Sequence, residues 1–145
     1  MPAKFYEQEI RSGLKNKRLL SAFLDKLTYK YLKNVEAVHL NYIFCDDAFL
    51  LEMNKKYLDH NTLTDIITFD LSDTKEHLQG EIYISIERVK ENATKYDVSY
   101  SDELLRVIFH GVLHLCGFKD KKKEDILEMR AKENKCLIDY KKIAS

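Results

Sequence analysis

The segment from Leu104 to Phe118 constrains the fold most, because it is apolar on nearly every side and yet contains two histidines. Its one charged residue is Arg106. Apolar residues around nearly the whole circumference are typical of a helix that is buried in the centre of a protein. Gly117 can end such a helix in a left-handed conformation that other residues resist. The sequence therefore predicts a central buried helix that ends in a sharp turn.

The two histidines, His110 and His114, are one helical turn apart, so their side chains point to the same side of the helix. Either they are core histidines satisfied by hydrogen bonds, or they bind one divalent metal ion. The turn at Gly117 can bring Asp120 back beside both imidazoles. The full pattern, H-x-x-x-H-x-x-G-x-x-D, resembles the elongated metal motif of metzincin-type hydrolases and favours the metal site. Zinc is the expected ion for this ligand set, with a fourth position open to water.

Position 111 argues against peptidase chemistry. Zinc peptidases of the HExxH type carry a glutamate directly after the first histidine, where it serves as general base for water on the metal. Gly111 occupies that position here and cannot accept a proton. A peptidase reaction would therefore need a carboxylate from elsewhere in the chain.

Hydrophobic patterns along the rest of the chain predict both strands and helices. Helices are expected between and after four strand segments, which are KFYEQEI, EAVHLNYIF, TDIITFDL and GEIYISI. The apolar face of the last predicted helix, from Ile126 to Tyr140, is broken once, by Glu133. We expect a single small α+β domain over residues 1–145. It should have a mixed sheet of about four strands packed with helices and a zincin-like, metal-binding central helix.

Charge is balanced overall but unevenly distributed. Residues 1–35 carry eight Lys and Arg against three Asp and Glu, and residues 119–145 carry nine against six. Residues 36–118 carry seven against fifteen. Basic patches from the two ends would attract phosphates, although solvated helix faces give the same pattern.

The sequence favours a cytoplasmic location without a membrane partner. No apolar run approaches the roughly 18 residues of a membrane span. The first residues, MPAKFYEQEI, lack the basic and then apolar profile of a signal peptide. The three cysteines form neither a CxxC pair nor an even disulfide set, which is typical of a reducing compartment.

Three blocks of the chain, from about residue 40 to 125, resemble the YbeY family of bacterial zinc-dependent endoribonucleases. HGVLHLCGFKD is similar to the family's HGxLHLxGYDH, and GEIYIS is similar to its GDIVIS. LEMNKKYLDHNTLTDIITFD resembles the family's asparagine-containing helix end and TDVLSF-like strand. The resemblance implies processing of the 16S rRNA 3′ end and ribosome quality control. Its partners would be ribosomal RNA of the small subunit and, as further candidates, ribosomal proteins or assembly factors.

The resemblance implies that one zinc ion is bound by His110, His114 and Asp120. Aspartate stands here in place of the family's usual third histidine, and it is a competent zinc ligand. Leu58 stands where the family often has an arginine, so the role of that arginine cannot be carried over to this chain.

The catalytic residues are not fixed by the sequence, which offers three candidates. Asp65 matches the aspartate of the family's TD pair and could orient a ligand histidine, or it could cap the start of a strand. His60 and Lys56 lie near Leu58 in the sequence and could supply the missing charge, or they could belong to a solvated loop.

Two other functions fit the same residues. The first is a metal-dependent peptidase or other hydrolase that uses a remote carboxylate as base. The second is a non-catalytic ribosome-assembly factor whose zinc is structural.

Overall fold

The computed structural model describes residues 1–58 and 64–144. In these ranges the chain forms the elements β1 (Ala3–Glu7), α1 (Lys17–Tyr31), β2 (Ala37–Cys45), α2 (Asp47–Leu58), β3 (Ile66–Asp70), β4 (His77–Ser85), α3 (Ile86–Lys95), α4 (Tyr100–Leu115) and α5 (Lys123–Ala144). The predicted α+β fold with a four-stranded mixed sheet is confirmed. None of the helices in the described ranges is both long and apolar enough to cross a bilayer.

The sheet has the strand order β1-β2-β4-β3. Strands β1, β2 and β4 are parallel, whereas β3 runs antiparallel to β4 at one edge. In β2, every second residue from Val38 to Phe44 is buried, namely Val38, Leu40, Tyr42 and Phe44. Parallel neighbours need a crossover connection, and α1 provides it between β1 and β2. The antiparallel edge strand brings the chain before Ile66 close to the end of β4, where the Ser85 amide donates to the Asp65 carbonyl at 3.0 Å.

Helix α4 is the central buried helix that the sequence predicts. It contacts α1, α3 and α5 as well as β3 and β4. The Ser99 hydroxyl caps its start by accepting from the Asp102 amide at 3.1 Å. The Tyr42 hydroxyl donates to the Ile108 carbonyl at 2.8 Å, which ties the helix to the middle of the sheet.

Helix α4 lies close against the sheet at Gly111. A Cβ atom there would lie 2.9 Å from Ile82 Cγ2 and 3.2 Å from Ile66 Cδ1, closer than carbon atoms normally pack. Position 111 therefore faces the sheet. A glutamate there would enter the core of the protein, so the glycine has a packing role.

The end of α4 is a Schellman motif, which confirms the predicted turn at Gly117. Gly117 has φ 104°. Its amide donates to the His114 carbonyl at 3.0 Å, and the Phe118 amide donates to the Leu113 carbonyl at 3.1 Å. These two bonds satisfy carbonyls that the helix end leaves free. The chain then reverses and passes back along α4.

Candidate active site

A cleft of about 670 Å³ is bordered by α3, α4, α5 and the start of β3. Its volume is in the usual range of ligand-binding sites. Four of the residues that the sequence singles out line this cleft: Asp65, His110, His114 and Asp120.

His110 and Asp120 are in direct contact. The Nε2 atom of His110 lies 3.2 Å from Oδ2 of Asp120. This contact exists because the Schellman turn at Gly117 reverses the chain after α4. The structure thus brings two of the three predicted zinc ligands together.

His114 lies on the same side of α4, one turn after His110, and its side chain is exposed at the cleft. Across residues 1–58 and 64–144, no three His, Cys, Asp or Glu side chains form a group that could hold a metal ion. Ligation of zinc by His110, His114 and Asp120 together therefore stays a prediction.

Glu133 of α5 is a buried carboxylate at the back of the cleft, with its side chain 6% exposed. Its Oε2 accepts from His110 Nδ1 at 2.8 Å, and its Oε1 accepts from Arg106 Nη1 at 3.1 Å. Arg130 Nη1 lies 3.4 Å from the same Oε1. Sequence reasoning did not assign Glu133 a function, although its break in the apolar face of the last helix was the signal that could have found it.

The contact with Glu133 suits a metal-binding histidine. Because Nδ1 donates its proton to Glu133, Nε2 is the ring nitrogen that faces Asp120 and can bind a cation. Metal-ligating histidines almost always donate their other ring N–H to a carboxylate, a carbonyl or water in this way. The two contacting residues and their buried support therefore have chemistry that suits a divalent metal ion.

Electrostatics at His110 favour positive charge. Burial acts to lower the pKa of His110, but the hydrogen bond and charge of Glu133, followed by the charges of Asp120 and Asp65, raise it above its ordinary value. Between these two carboxylates, the imidazole binds a proton more readily than an ordinary histidine does. A divalent cation is stabilised by the same carboxylates.

Asp65 lies beside this group, just before β3. Burial raises the pKa of the Asp65 carboxyl, with smaller opposing effects from His110 and from a backbone hydrogen bond. The charges of Glu133 and Asp120 raise the pKa of Asp65 further. A carboxyl group with a raised pKa in a cleft suits proton transfer, but the catalytic role of Asp65 stays a prediction.

The other two candidates are placed differently. Lys56 lies on the exposed surface of α2, where its Nζ is 5.3 Å from the centre of the Tyr57 ring. His60 lies outside the described residues. Leu58 lines the cleft.

Arg106 is a cation of the cleft that sequence reasoning left unassigned. It lies on α4 one turn before His110, and its side chain is 20% exposed. Besides its bond to Glu133, its Nε is 3.9 Å from Glu103 Oε1. The sequence feature that could have identified Arg106 is its position as the one charged residue of the apolar segment.

Known proteins match nearly the whole chain. The family model described as "Endoribonuclease YbeY" matches residues 5–141. The chain belongs to the YbeY family. The Endoribonuclease YbeY of Flavobacterium psychrophilum is 54% identical over 105 residues, which cover 72% of this chain and 74% of that protein.

Other relatives extend the YbeY match along the chain. The Endoribonuclease YbeY of Cytophaga hutchinsonii is 43% identical over 133 residues, or 92% of each protein. A solution structure of a Thermotoga maritima protein has a TM-score of 0.60 and 28% identity. It covers 95% of this chain and 88% of that one. These matches confirm the family resemblance of the sequence motifs.

Proposed function

We propose that this YbeY-family chain is a zinc-dependent endoribonuclease of the cytoplasm that processes the 3′ end of 16S rRNA and contributes to ribosome quality control. We further propose that residues 1–145 act as one domain. The observation that carries the proposal is the placement of His110 between Glu133 and Asp120, in a cleft that also contains His114.

One zinc ion would be held by His110, His114 and Asp120. The Nε2 atom of His110 already faces Asp120, and Nδ1 is fixed by Glu133. The exposed side chain of His114, one turn further along α4, would complete the set. When bound, zinc supplies Lewis acidity that polarises a phosphate oxygen or activates water.

Two arginines of the cleft suit an RNA substrate. Arg106 and Arg130 both bind Oε1 of Glu133, which holds their guanidinium groups near His110. Guanidinium groups match the geometry of phosphate oxygens, so these two side chains would orient the scissile phosphate. They would supply the positive charge that Leu58 lacks at the position of the family's usual arginine.

Asp65 would handle a proton in the reaction. Its carboxyl is in the cleft and its raised pKa, caused mainly by burial, makes it a better proton acceptor than an ordinary aspartate. Gly111 faces the sheet, so the base position of zinc peptidases is absent from the cleft. This difference supports phosphodiester cleavage over peptide cleavage.

Ribosomal RNA of the small subunit would be the main partner. The net charge of the chain is zero, which disfavours strong nonspecific binding to RNA. We therefore propose that ribosomal proteins or assembly factors help to deliver the substrate.

The test is cleavage of an RNA that contains the 16S 3′ end. We expect cleavage by the purified chain, loss of cleavage with a chelator, recovery on addition of zinc, and no cleavage by His114→Ala. His39→Ala is the matched control, because His39 is exposed on β2 and does not line the cleft. Cleavage that survives chelation would contradict the metal-dependent reaction.

Two further outcomes would point to the other functions. A peptide that the unmodified chain cleaves and that His114→Ala does not cleave would indicate a peptidase. Normal rRNA processing in cells that contain His110→Ala at the level of the unmodified protein would indicate a non-catalytic assembly factor.

A further inference from the structure

An aromatic pair flanked by lysines lies where the end of α1 meets the turn after α4. The rings of Tyr31 and Phe118 are 5.0 Å apart and nearly perpendicular, at 85°. Lys132 Nζ of α5 lies 5.5 Å from the Tyr31 ring centre and 5.6 Å from the Phe118 ring centre. Lys30 Nζ lies 5.3 Å from the Tyr31 ring centre. We call the aromatic pair Tyr31 and Phe118, together with Lys30 and Lys132, the lysine-capped pair.

The two lysines present positive charge to solvent. Lys30 is exposed and Lys132 is half-buried, and neither belongs to an ion pair found within residues 1–58 and 64–144. Cation–π contacts hold each ammonium group near a ring but leave its N–H donors available. Two like charges near one ring repel each other, and an anion bound by both would relieve that repulsion.

The lysine-capped pair adjoins the proposed active site. Phe118 is two residues before Asp120, a separation that the chain spans with at most about 7 Å. Lys121, the next residue after Asp120, lines the cleft. Positive charge thus continues from the cleft, around the turn after α4, to the lysine-capped pair.

A long RNA substrate cannot fit entirely inside the cleft, so it also needs a binding surface outside it. About 670 Å³ is the volume of a small-molecule site, so only a short part of an RNA strand fits inside it. The rest of the strand must lie on the protein surface beside the cleft, where lysines bind phosphates.

We propose that the lysine-capped pair binds backbone phosphates of the RNA next to the segment held in the cleft. This inference rests on the proposed function, because it assumes that RNA is the substrate. Lys30 and Lys132 donate to phosphate oxygens, while the rings of Tyr31 and Phe118 hold the two ammonium groups in place. The contact is independent of base sequence, because phosphates carry no sequence information.

The test compares RNA binding by the full chain and by the double variant K30Q/K132Q. The probes are a fluorescein-labelled single strand of about 12 nucleotides, in the range of single-strand binding sites, and a labelled tetranucleotide. We expect roughly tenfold weaker binding of the long strand by the double variant. The slope of log K against log salt should fall by about 0.7 for each phosphate that the variant no longer neutralises. Tetranucleotide binding should change little, because the cleft alone holds it.

Two variants separate charge from structure. K30R/K132R keeps both charges and should bind the long strand as the unmodified chain does. Lys90→Gln is the matched control, because Lys90 makes the same kind of contact, 5.8 Å from the centre of the Tyr100 ring, and does not line the cleft. It should leave binding of the long strand unchanged. If K30Q/K132Q unfolds at a lower temperature, the single variant Lys132→Gln replaces it in the comparison.

Equal binding of the long strand by K30Q/K132Q and the unmodified chain would overturn the inference. An equal loss for the long strand and the tetranucleotide would overturn it as well, because the effect would then lie in the cleft. Failure of the proposed function is recognised separately, because the unmodified chain would then not cleave RNA. The titrations measure binding, and gels check that the strand stays intact.

Discussion

Replacing Glu133 with glutamine tests the buried support of the proposed metal site. The carboxylate accepts from His110 on one oxygen and from Arg106 on the other, which also forms an ion pair with Arg130. Glutamine has nearly the same shape, but its amide offers one acceptor oxygen and one donor nitrogen. The variant therefore removes the charge of the side chain and one of its two accepting atoms without leaving a cavity.

Either orientation of the amide disturbs the site. If its oxygen faces His110, its N–H groups point at the N–H donors of Arg106. If its nitrogen faces His110, the Nδ1 atom must accept, the proton moves to Nε2, and Nε2 can no longer bind a metal ion. Hydrogen bonds to charged groups contribute about 1.5–3 kcal/mol each. We expect the free energy of unfolding to fall by about that amount.

Metal affinity is the sharper readout. Loss of the partner that orients a ligand histidine typically weakens metal binding 10–100-fold, and we expect a change of about that size for zinc. The assay is competition for zinc with a chromogenic chelator, together with urea denaturation of the metal-free chain. Glu128→Gln is the matched control, because Glu128 is exposed on the same helix. Unchanged zinc affinity in Glu133→Gln would refute the argument that Glu133 fixes the tautomer of His110.

Three further results are expected from the fold. Gly117→Ala should lower the free energy of unfolding by about 1–2 kcal/mol, because φ 104° is unfavourable for alanine, and should weaken zinc binding by displacing Asp120. Unchanged urea and zinc titrations would contradict this. Gly111→Ala should destabilise the chain, since overpacking against Ile82 costs about 1–3 kcal/mol and the gain in helix propensity is only about 1 kcal/mol. A raised urea midpoint would contradict the close packing at Gly111. Cys116 should resist iodoacetamide at pH 8 in the folded chain, because burial raises its pKa to about 12 and leaves little thiolate; labelling as fast as in the urea-unfolded chain would contradict it.

Local features of the fold were predictable because they depend on neighbouring residues. Alternation of apolar residues predicted β2, and the apolar circumference predicted α4. The turn at Gly117 followed from the need for a left-handed residue at the helix end.

Long-range features could not be predicted in this way. The antiparallel direction of β3 depends on pairing with β4, which no local pattern specifies. The network of Glu133 with Arg106 and His110 joins residues 27 and 23 positions apart. Periodicity marked Glu133 as a polar break, but only the docking of α5 against α4 shows which side chains it binds.

Zinc content of the purified chain is the most direct test of the central claim that His110, His114 and Asp120 form a metal centre. It is measured by elemental analysis for the unmodified chain and for the alanine variant at each of the three positions. His77→Ala serves as control, since His77 is exposed at the start of β4 and does not line the cleft. We predict one zinc ion per unmodified chain and per control chain, and strongly reduced zinc in all three ligand variants. Full zinc content in His114→Ala or Asp120→Ala would contradict the proposed ligand set.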